Sequence, residues 1–254
     1  MCSNSTIRPL CPEELCRMKL SVIVIAESQS AVSRVDGDVE YIGARHWGDG
    51  VQQARGERIA ILNDRYQPRS GWIDAAKNTV CEMSWGTVEP GDAGWPYYLL
   101  EYAHLLGNQD PRRAPAGNVV YHRSVLDRYP LAGFAREVDY HAHLVSQGVS
   151  TAFTQALSVT LVHPPEWAVY RKQRFEDSKK WARTHHPGLL ALPLRLALPP
   201  LILYRVARAV FSDGRYVNQF FKWLPRLIES SFIQMLGEMS GILAGDSNDR
   251  VSPR

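Results

Sequence analysis

The chain has 254 residues, of which 45% are hydrophobic and 22% are charged. This composition is ordinary for a globular protein and excludes wholesale disorder, and the length suffices for one α/β domain with an appendage. The net charge is only +3, and no nucleic-acid-binding motif is present, so we expect no nucleic-acid partner. The four cysteines, Cys2, Cys11, Cys16 and Cys81, do not follow a metal-ligand spacing, which indicates a reduced cytosolic setting.

The N-terminal third alternates short apolar runs with polar, helix-like stretches. Residues 1–19 have no periodicity and predict a loose arm, whereas the β-branched run Leu20–Ala26 predicts a buried parallel strand. The elements predicted next are a strand at Val39–Ile42, a helix over His46–Arg55 closed by Gly56, a strand at Ile59–Leu62, a helix over Gly71–Val80 and a strand at Cys81–Val88.

The middle of the chain continues this alternation. The predicted elements are a helix over Trp95–Leu106, a loop over Asp110–Gly117, a strand at Asn118–His122, a helical turn at Arg123–Tyr129, a helix over Arg136–Gln147 ended by Gly148, a strand at Phe153–His163 and a basic helix over Trp167–His185. Strands that alternate with helices predict an α/β domain over residues 20–186, with a mainly parallel, Rossmann-like sheet and helices on both faces.

Residues 187–246 change character, and residues 247–254 form a polar tail. The apolar segment Leu189–Tyr204 is broken by prolines, and Leu227–Ala244 contains two acids. Because a spanning helix needs about 20 apolar residues, we predict a hydrophobic helical hairpin that lies in the membrane interface or re-enters it. Twelve Lys/Arg against three acids between Arg171 and Arg226 suit an anionic partner such as a lipid surface. The alternative is a buried hairpin that packs on the sheet.

The segment after Ile59–Leu62 is the strongest candidate for chemistry. This apolar run ends in Asn63, Asp64 and Arg65, and α/β folds bind ligands at the carboxyl ends of their strands. Asp64 can supply a hard oxygen ligand to a divalent cation. The alternative is that Asp64 caps a turn in an Asn-Asp-Arg-Tyr loop.

Several short motifs occur in an order that resembles a known family. They are Ala54-Arg55-Gly56-Glu57 before IAILND, then Pro68 with Gly71-Trp72, Glu101-Tyr102, Ala116-Gly117-Asn118 with Arg123, Arg136-Glu137 through Leu144, His163, and finally Pro225, Gly237, Glu238, Gly241 and Gly245. Over about residues 20–245 the chain resembles the inverting family 2 glycosyltransferases with a GT-A fold, and especially bacterial members with a hydrophobic C-terminal tail.

The resemblance implies transfer of a sugar, with inversion, from a nucleotide-sugar donor to a lipid-linked or cell-envelope acceptor at the cytoplasmic face of the membrane. It implies Glu137 as the base, with Asp139 as runner-up; plain helix capping is the alternative for both. The implied donor-side residues are Glu27, Ser28, Asn63, Asp64 and Arg65. The implied acceptor-side residues are Trp72, Glu101 and Asn118, and a Mg²⁺ or Mn²⁺ ion would be held by Asp64 and His163.

Two departures from the family pattern leave alternatives open. Few residues precede Leu20–Ala26, so the family's first strand–helix unit is expected to be missing or shortened. Arg65 stands where a second acid is expected. A cation held weakly by Asp64, a metal-independent transfer assisted by Arg65, and a catalytically lapsed GT-A-like binding protein at the membrane all fit this substitution.

Overall fold

The computed structural model describes residues 19–26, 34–106, 109–115, 117–131, 134, 137–185 and 192–244. The described residues fall into two compact units. Those within Met1–Glu89 and Gln109–Thr160 form unit 1, and those within Pro90–Asn108 and Leu161–Arg254 form unit 2. Almost all of the predicted N-terminal arm and the whole polar tail lie outside the described residues.

The longer strands of the protein form from mainly apolar runs, whereas the three-residue strands are mixed in composition. In chain order the strands are β1 (Leu20–Ile25), β2 (Arg34–Asp36), β3 (Val39–Ala44), β4 (Arg58–Asn63), β5 (Tyr66–Pro68), β6 (Met83–Trp85), β7 (Val88–Pro90), β8 (Asn118–His122), β9 (Thr151–Phe153) and β10 (Val159–Leu161). Seven of them make one sheet in the order β2-β3-β1-β4-β8-β6-β9, and β5-β10-β7 make a second, three-stranded sheet.

The large sheet is mixed, which corrects the predicted mainly parallel sheet. β1 pairs in parallel with β3 and β4, and β6 with β9. β2 runs antiparallel to β3, and β8 runs antiparallel to both of its neighbours. The α/β class is therefore confirmed. Strand direction was missed because a buried strand shows the same apolar run whichever way it points.

Two predicted strands are each divided between the two sheets. The stretch predicted as one strand at Cys81–Val88 forms β6 in the large sheet and β7 in the small one. The stretch predicted at Phe153–His163 forms β9 and β10, separated by the 3₁₀ turn Gln155–Leu157. Gly86 lies between β6 and β7 against that turn, where a Cβ atom would come within 2.2 Å of the Leu157 carbonyl carbon. The close approach explains why the chain changes sheet at a glycine.

The helices follow the sequence prediction closely in position and less closely in length. They are α1 (Trp47–Gln53), α2 (Trp72–Lys77), α3 (Trp95–Tyr102), α4 (Arg123–Arg128), α5 (Glu137–Ser146), α6 (Trp167–His185), α7 (Leu192–Arg195), α8 (Leu198–Asp213) and α9 (Val217–Ala244). In unit 1 the core of the sheet includes Ile23, Ile61, Tyr121 and Leu144, all at most 1% exposed. Gly148, in the left-handed region at φ +75°, follows α5 as predicted.

A buried carboxylate ties β1, β3 and the loop before β4 together. Glu40, 1% exposed, accepts hydrogen bonds from Ser21 Oγ at 2.5 Å and from the Arg55 backbone N–H at 2.5 Å. The Arg55 guanidinium also pairs with Glu40 at 3.1 Å. Gly56 follows, and a Cβ there would lie 2.5 Å from the Ser21 backbone nitrogen. Gly56 therefore permits this close approach to β1; it does not close α1, which ends at Gln53.

A pair of glycines in α1 provides a test of how closely this helix packs on β1. A Cβ at Gly50 would lie 2.3 Å from Ile23 Cγ2, whereas a Cβ at Gly48 would meet no heavy atom within 4 Å. We expect Gly50→Ala to lower the free energy of unfolding by about 1–3 kcal/mol. Gly48→Ala should raise it by up to about 1 kcal/mol, because alanine restricts the unfolded chain. Urea denaturation followed by tryptophan fluorescence measures both, and equal effects would contradict the packing.

Unit 2 is helical, and its main contact joins α6 to α9. Gly237 and Gly241 face α6, where Cβ atoms would come within 2.5 Å of the Phe175 carbonyl oxygen and 2.3 Å of the Lys179 carbonyl oxygen. Small residues four apart on one helix let a second backbone approach closely. The two glycines that entered the family resemblance therefore form the α6–α9 contact.

Basic side chains of α6 form ion pairs with acidic residues of unit 2. Arg171 pairs with Glu229 at 2.6 Å, and Arg174 pairs with Glu101 at 2.7 Å. A further ion pair, Arg195 with Glu238 at 3.0 Å, has both side chains largely buried. Part of the basic excess predicted to meet an anionic partner is thus neutralised inside the unit.

The C-terminal helices expose several large apolar side chains. On α9 these are Phe221, Ile228, Phe232, Leu236 and Leu243, whose spacing of 7, 4, 4 and 7 residues places them on one face of the helix. Helices do form in the two predicted apolar segments, but α8 runs on to Asp213 and α9 begins at Val217. None of the helices within the described residues is long and apolar enough to cross a membrane.

Candidate functional site

The carboxyl ends of β1 and β4 lie side by side in unit 1, with Ile25 opposite Asn63 in the parallel register. From β1 the chain continues to β2 and β3 on one side of the sheet, whereas the strands beyond β4 extend to the other side. In open α/β sheets, ligands bind outside the carboxyl ends of strands at such a reversal. This edge is where the sequence placed Asn63, Asp64 and Arg65.

These three residues form a tight turn between β4 and β5. Asn63 Oδ1 accepts a hydrogen bond from the Arg65 backbone N–H at 2.9 Å, and the Asp64 N–H donates to the Ile25 carbonyl at 3.0 Å. Asparagine favours turns because its side chain bonds to the backbone two residues on. The turn is therefore capped by Asn63, and Asp64 is exposed to solvent.

Gly117 connects this turn to α5. Its carbonyl oxygen accepts from the Asn63 N–H at 2.9 Å, and its own N–H donates to Glu137 Oε2 at 3.0 Å. Gly117 has φ +75°, and a Cβ there would lie 2.8 Å from Asn63 Cβ, so only glycine fits. A single residue, Gly117, therefore brings together a predicted donor-side residue and the predicted base.

Glu137 is partly exposed as a residue, but the surrounding protein desolvates its carboxyl group. Burial raises the pKa of Glu137 from its ordinary value of 4.5 to about 7, while the hydrogen bond from Gly117 acts in the lowering direction. A helix N-terminus favours the ionised form of a carboxyl group, but here desolvation outweighs that effect. A carboxylate with a pKa near 7 is well matched to general-base work at neutral pH.

A buried pair, Tyr121 and His141, lies behind Glu137. The Tyr121 hydroxyl is 2.6 Å from His141 Nε2, and both residues are fully buried. Burial, and then the charge of Glu137, raise the pKa of Tyr121 well above its ordinary value. Burial lowers the pKa of His141 to about 4, so His141 is neutral at pH 7. Neither residue is predicted from the sequence to belong to the site, and nothing local distinguishes Tyr121 from any other strand tyrosine.

Replacing Glu137 gives a prediction that depends on pH. Below pH 4.5 the group is protonated in both the folded and unfolded states, so Glu137→Gln should change nothing through ionisation. Between pH 4.5 and 7 the group loses its proton in the unfolded chain before it does so in the folded protein. Above pH 7 the group is ionised in both states, and its burial then lowers the free energy of unfolding by about 3 kcal/mol. The stability of Glu137→Gln relative to the parent chain should therefore rise across this range, as measured by urea denaturation at pH 4, 5.5 and 8. A difference that does not vary with pH would contradict a buried, titrating Glu137.

The remaining predicted residues of unit 1 are distributed differently. Asp139 is exposed on α5. Trp72 and Asn118 are both buried and joined: Trp72 Nε1 donates to Asn118 Oδ1 at 3.3 Å, and Asn118 Nδ2 donates to the Leu157 carbonyl at 2.9 Å. These two predicted acceptor-side residues therefore contact the 3₁₀ turn Gln155–Leu157, which separates β9 from β10. Glu27 and Ser28 lie outside the described residues.

Glu101 and His163, the other predicted site residues, belong to unit 2. Glu101 Oε1 accepts hydrogen bonds from the Tyr170 hydroxyl at 2.5 Å and from Arg174 at 2.7 Å. His163 is exposed just before the prolines that precede α6. Within the described part of the chain, no group of three or more His, Cys, Asp or Glu is placed to hold a metal ion.

Comparison of the chain with protein-family models and with curated proteins gave no match.

Proposed function

We propose that the protein transfers a sugar, with inversion, from a nucleotide-sugar donor to a lipid-linked or cell-envelope acceptor. The observation that carries this proposal is the pair of Gly117 backbone hydrogen bonds, one to Glu137 and one to Asn63, at the carboxyl edge of the sheet. The order of motifs, which resembles that of GT-A-fold family 2 glycosyltransferases, supplies the reaction class.

In the proposed reaction, Glu137 removes the proton from the acceptor hydroxyl as that oxygen attacks the anomeric carbon of the donor. The bond from that carbon to the nucleoside diphosphate breaks, and the diphosphate leaves with the bonding electron pair. Attack opposite to the leaving group inverts the anomeric centre. The near-neutral pKa of Glu137 allows it to accept the proton at physiological pH.

The leaving diphosphate requires positive charge. Asp64 offers one exposed carboxylate, while the oxygen of Asn63 is already used to cap the turn and Arg65 adjoins both. This donor set fits a divalent cation poorly, so neither Mg²⁺ nor Mn²⁺ takes part in the proposed reaction. We assign the role to Arg65, because a guanidinium binds phosphate through two parallel hydrogen bonds.

Association with the cytoplasmic face of the membrane is part of the proposal. It is supported by the exposed apolar face of α9 and by Arg205 and Arg208 on the neighbouring α8, which are also exposed. Helices that combine exposed apolar and basic residues bind in the interface of anionic bilayers without spanning them.

A second candidate function is a catalytically lapsed binding protein at the membrane. The Asn63-Asp64-Arg65 turn favours this function, because it lacks a second acid and because the Asn63 side-chain oxygen already accepts a hydrogen bond from the Arg65 backbone N–H. In this case the fold would keep a ligand or partner surface without turnover.

Calorimetry with uridine, guanosine and thymidine diphosphates, each with and without Mn²⁺, tests the transferase proposal. We expect one nucleotide to bind, and Arg65→Gln to weaken that binding by about tenfold or more. Arg69→Gln, an exposed arginine beyond β5, is the matched control and should leave binding unchanged. If no nucleotide binds under any condition, the transferase proposal fails.

A further inference from the structure

Unit 2 contains a cavity of about 270 Å³ that the proposed transferase chemistry does not use. Its apolar wall includes Leu100 from α3 and Ile202 and Val206 from α8, and its polar wall includes Arg174 and Arg205. All of these residues lie within unit 2. The volume is just below the usual range for drug-sized ligands, so it suits a small head group with part of an attached chain.

The Nε–H group of Arg174 is not used by the internal contacts of this side chain. Its two terminal nitrogens donate to Glu101, to the Tyr170 hydroxyl and to Gln234. Its Nε atom is buried and meets no acceptor among the described residues. A buried donor without an acceptor is costly, so a ligand oxygen at this point would remove that cost.

The charge of the cavity is positive. Glu101 balances the charge of Arg174 at 2.7 Å. Arg205 reaches the same cavity and has no acidic partner within the part of the chain that the structure describes. An anion is therefore favoured, and guanidinium groups have the geometry for phosphate oxygens.

We propose that this cavity binds the phosphate head of an alkyl phosphate. The phosphate oxygens accept from Arg174 Nε–H and from the Arg205 guanidinium, and the first methylene groups of the chain lie against Leu100, Ile202 and Val206. Leu201 and Tyr204, exposed on the same helix, offer apolar surface along which a longer chain can continue. The inference is independent of the transferase proposal, because it concerns only binding by residues of unit 2.

Isothermal titration calorimetry of the full chain with decyl phosphate, kept below its micellar concentration, tests the site. We expect one molecule per chain, with affinity reduced about tenfold or more in Arg205→Gln. Arg208→Gln is the matched control: it is exposed on the same helix, one turn away, but does not line the cavity. Ile202→Trp, which fills the cavity without removing charge, should also abolish binding.

Two further ligands separate the sources of the phosphate. Tighter binding of decyl phosphate than of inorganic phosphate supports the proposal. Equal binding of the two overturns it in favour of a site for free phosphate, because the methylene contacts would then contribute nothing. Equal binding of decanol and decyl phosphate overturns it, as does equal weakening by Arg205→Gln and Arg208→Gln. Absence of binding by both phosphates also overturns it.

Discussion

Glu137→Gln is expected to lower sugar transfer by about 10²–10⁴-fold, the usual contribution of a general base. Glutamine is close to glutamate in size and can still accept the hydrogen bond from Gly117, so donor binding should be unchanged. Turnover of a nucleotide sugar, measured by release of the nucleoside diphosphate with an acceptor present, is the readout. Undiminished transfer would rule out Glu137 as the base.

Asp139→Asn is the matched control for that experiment. Asp139 lies on the same helix two residues further on and is exposed, so its side chain points to a different side of α5. We expect little loss of transfer in this variant. A large loss in Asp139→Asn with full activity in Glu137→Gln would move the base to Asp139.

The pH dependence of transfer provides a second measure of the same group. Because Glu137 must be ionised to accept a proton, and burial raises its pKa to about 7, the rate should rise with pH and reach half of its maximum near pH 7. An exposed base would reach half-maximum near pH 4.5 instead.

Glu40→Gln is expected to lower the free energy of unfolding by about 1–3 kcal/mol, because glutamine leaves part of this set of buried donors without an acceptor. The Glu40 carboxylate accepts from Ser21 Oγ, from the Arg55 N–H and from the Arg55 guanidinium. A glutamine amide has only one oxygen that can accept from these donors. Its NH₂ group would lie against the remaining donors and could not accept from them. Urea denaturation at pH 7 gives the difference.

Glu57→Gln serves as the control for Glu40→Gln. Glu57 lies only two residues after Arg55, but its side chain is 66% exposed and its contact with His122 is 3.4 Å long. Exposed pairs of this kind contribute between zero and about 1 kcal/mol. Equal effects of the two substitutions would show that the burial of Glu40 contributes nothing.

The local pattern of the sequence was sufficient to predict several helices and strands. The helix predicted at Trp167–His185 is observed with those bounds as α6, and the strands predicted at Leu20–Ala26 and Asn118–His122 appear as β1 and β8. In each case turn residues or prolines lie close to at least one end of the element in the chain. Such signals need no information about distant segments.

The candidate site was predicted in part. The sequence placed Asn63–Arg65 at the end of a strand and Glu137 at the start of a helix, and both placements are confirmed. It did not predict that Gly117 would link them, or that Trp72 and Asn118 would bond to each other inside unit 1. Those contacts join residues 20 to 54 positions apart, and no local pattern encodes them.

The sequence by itself determined where apolar runs, helix ends and candidate carboxylates lie, because these follow from residue type and spacing along the chain. Only the tertiary structure decided the mixed strand directions of the large sheet and the raised pKa of Glu137. It also decided that Arg171 and Arg174 form ion pairs with acids of unit 2. Burial and desolvation depend on which distant segments surround a group. The residues that surround Glu137 raise the pKa of its carboxyl group to about 7, and its position at the start of a helix does not reveal this.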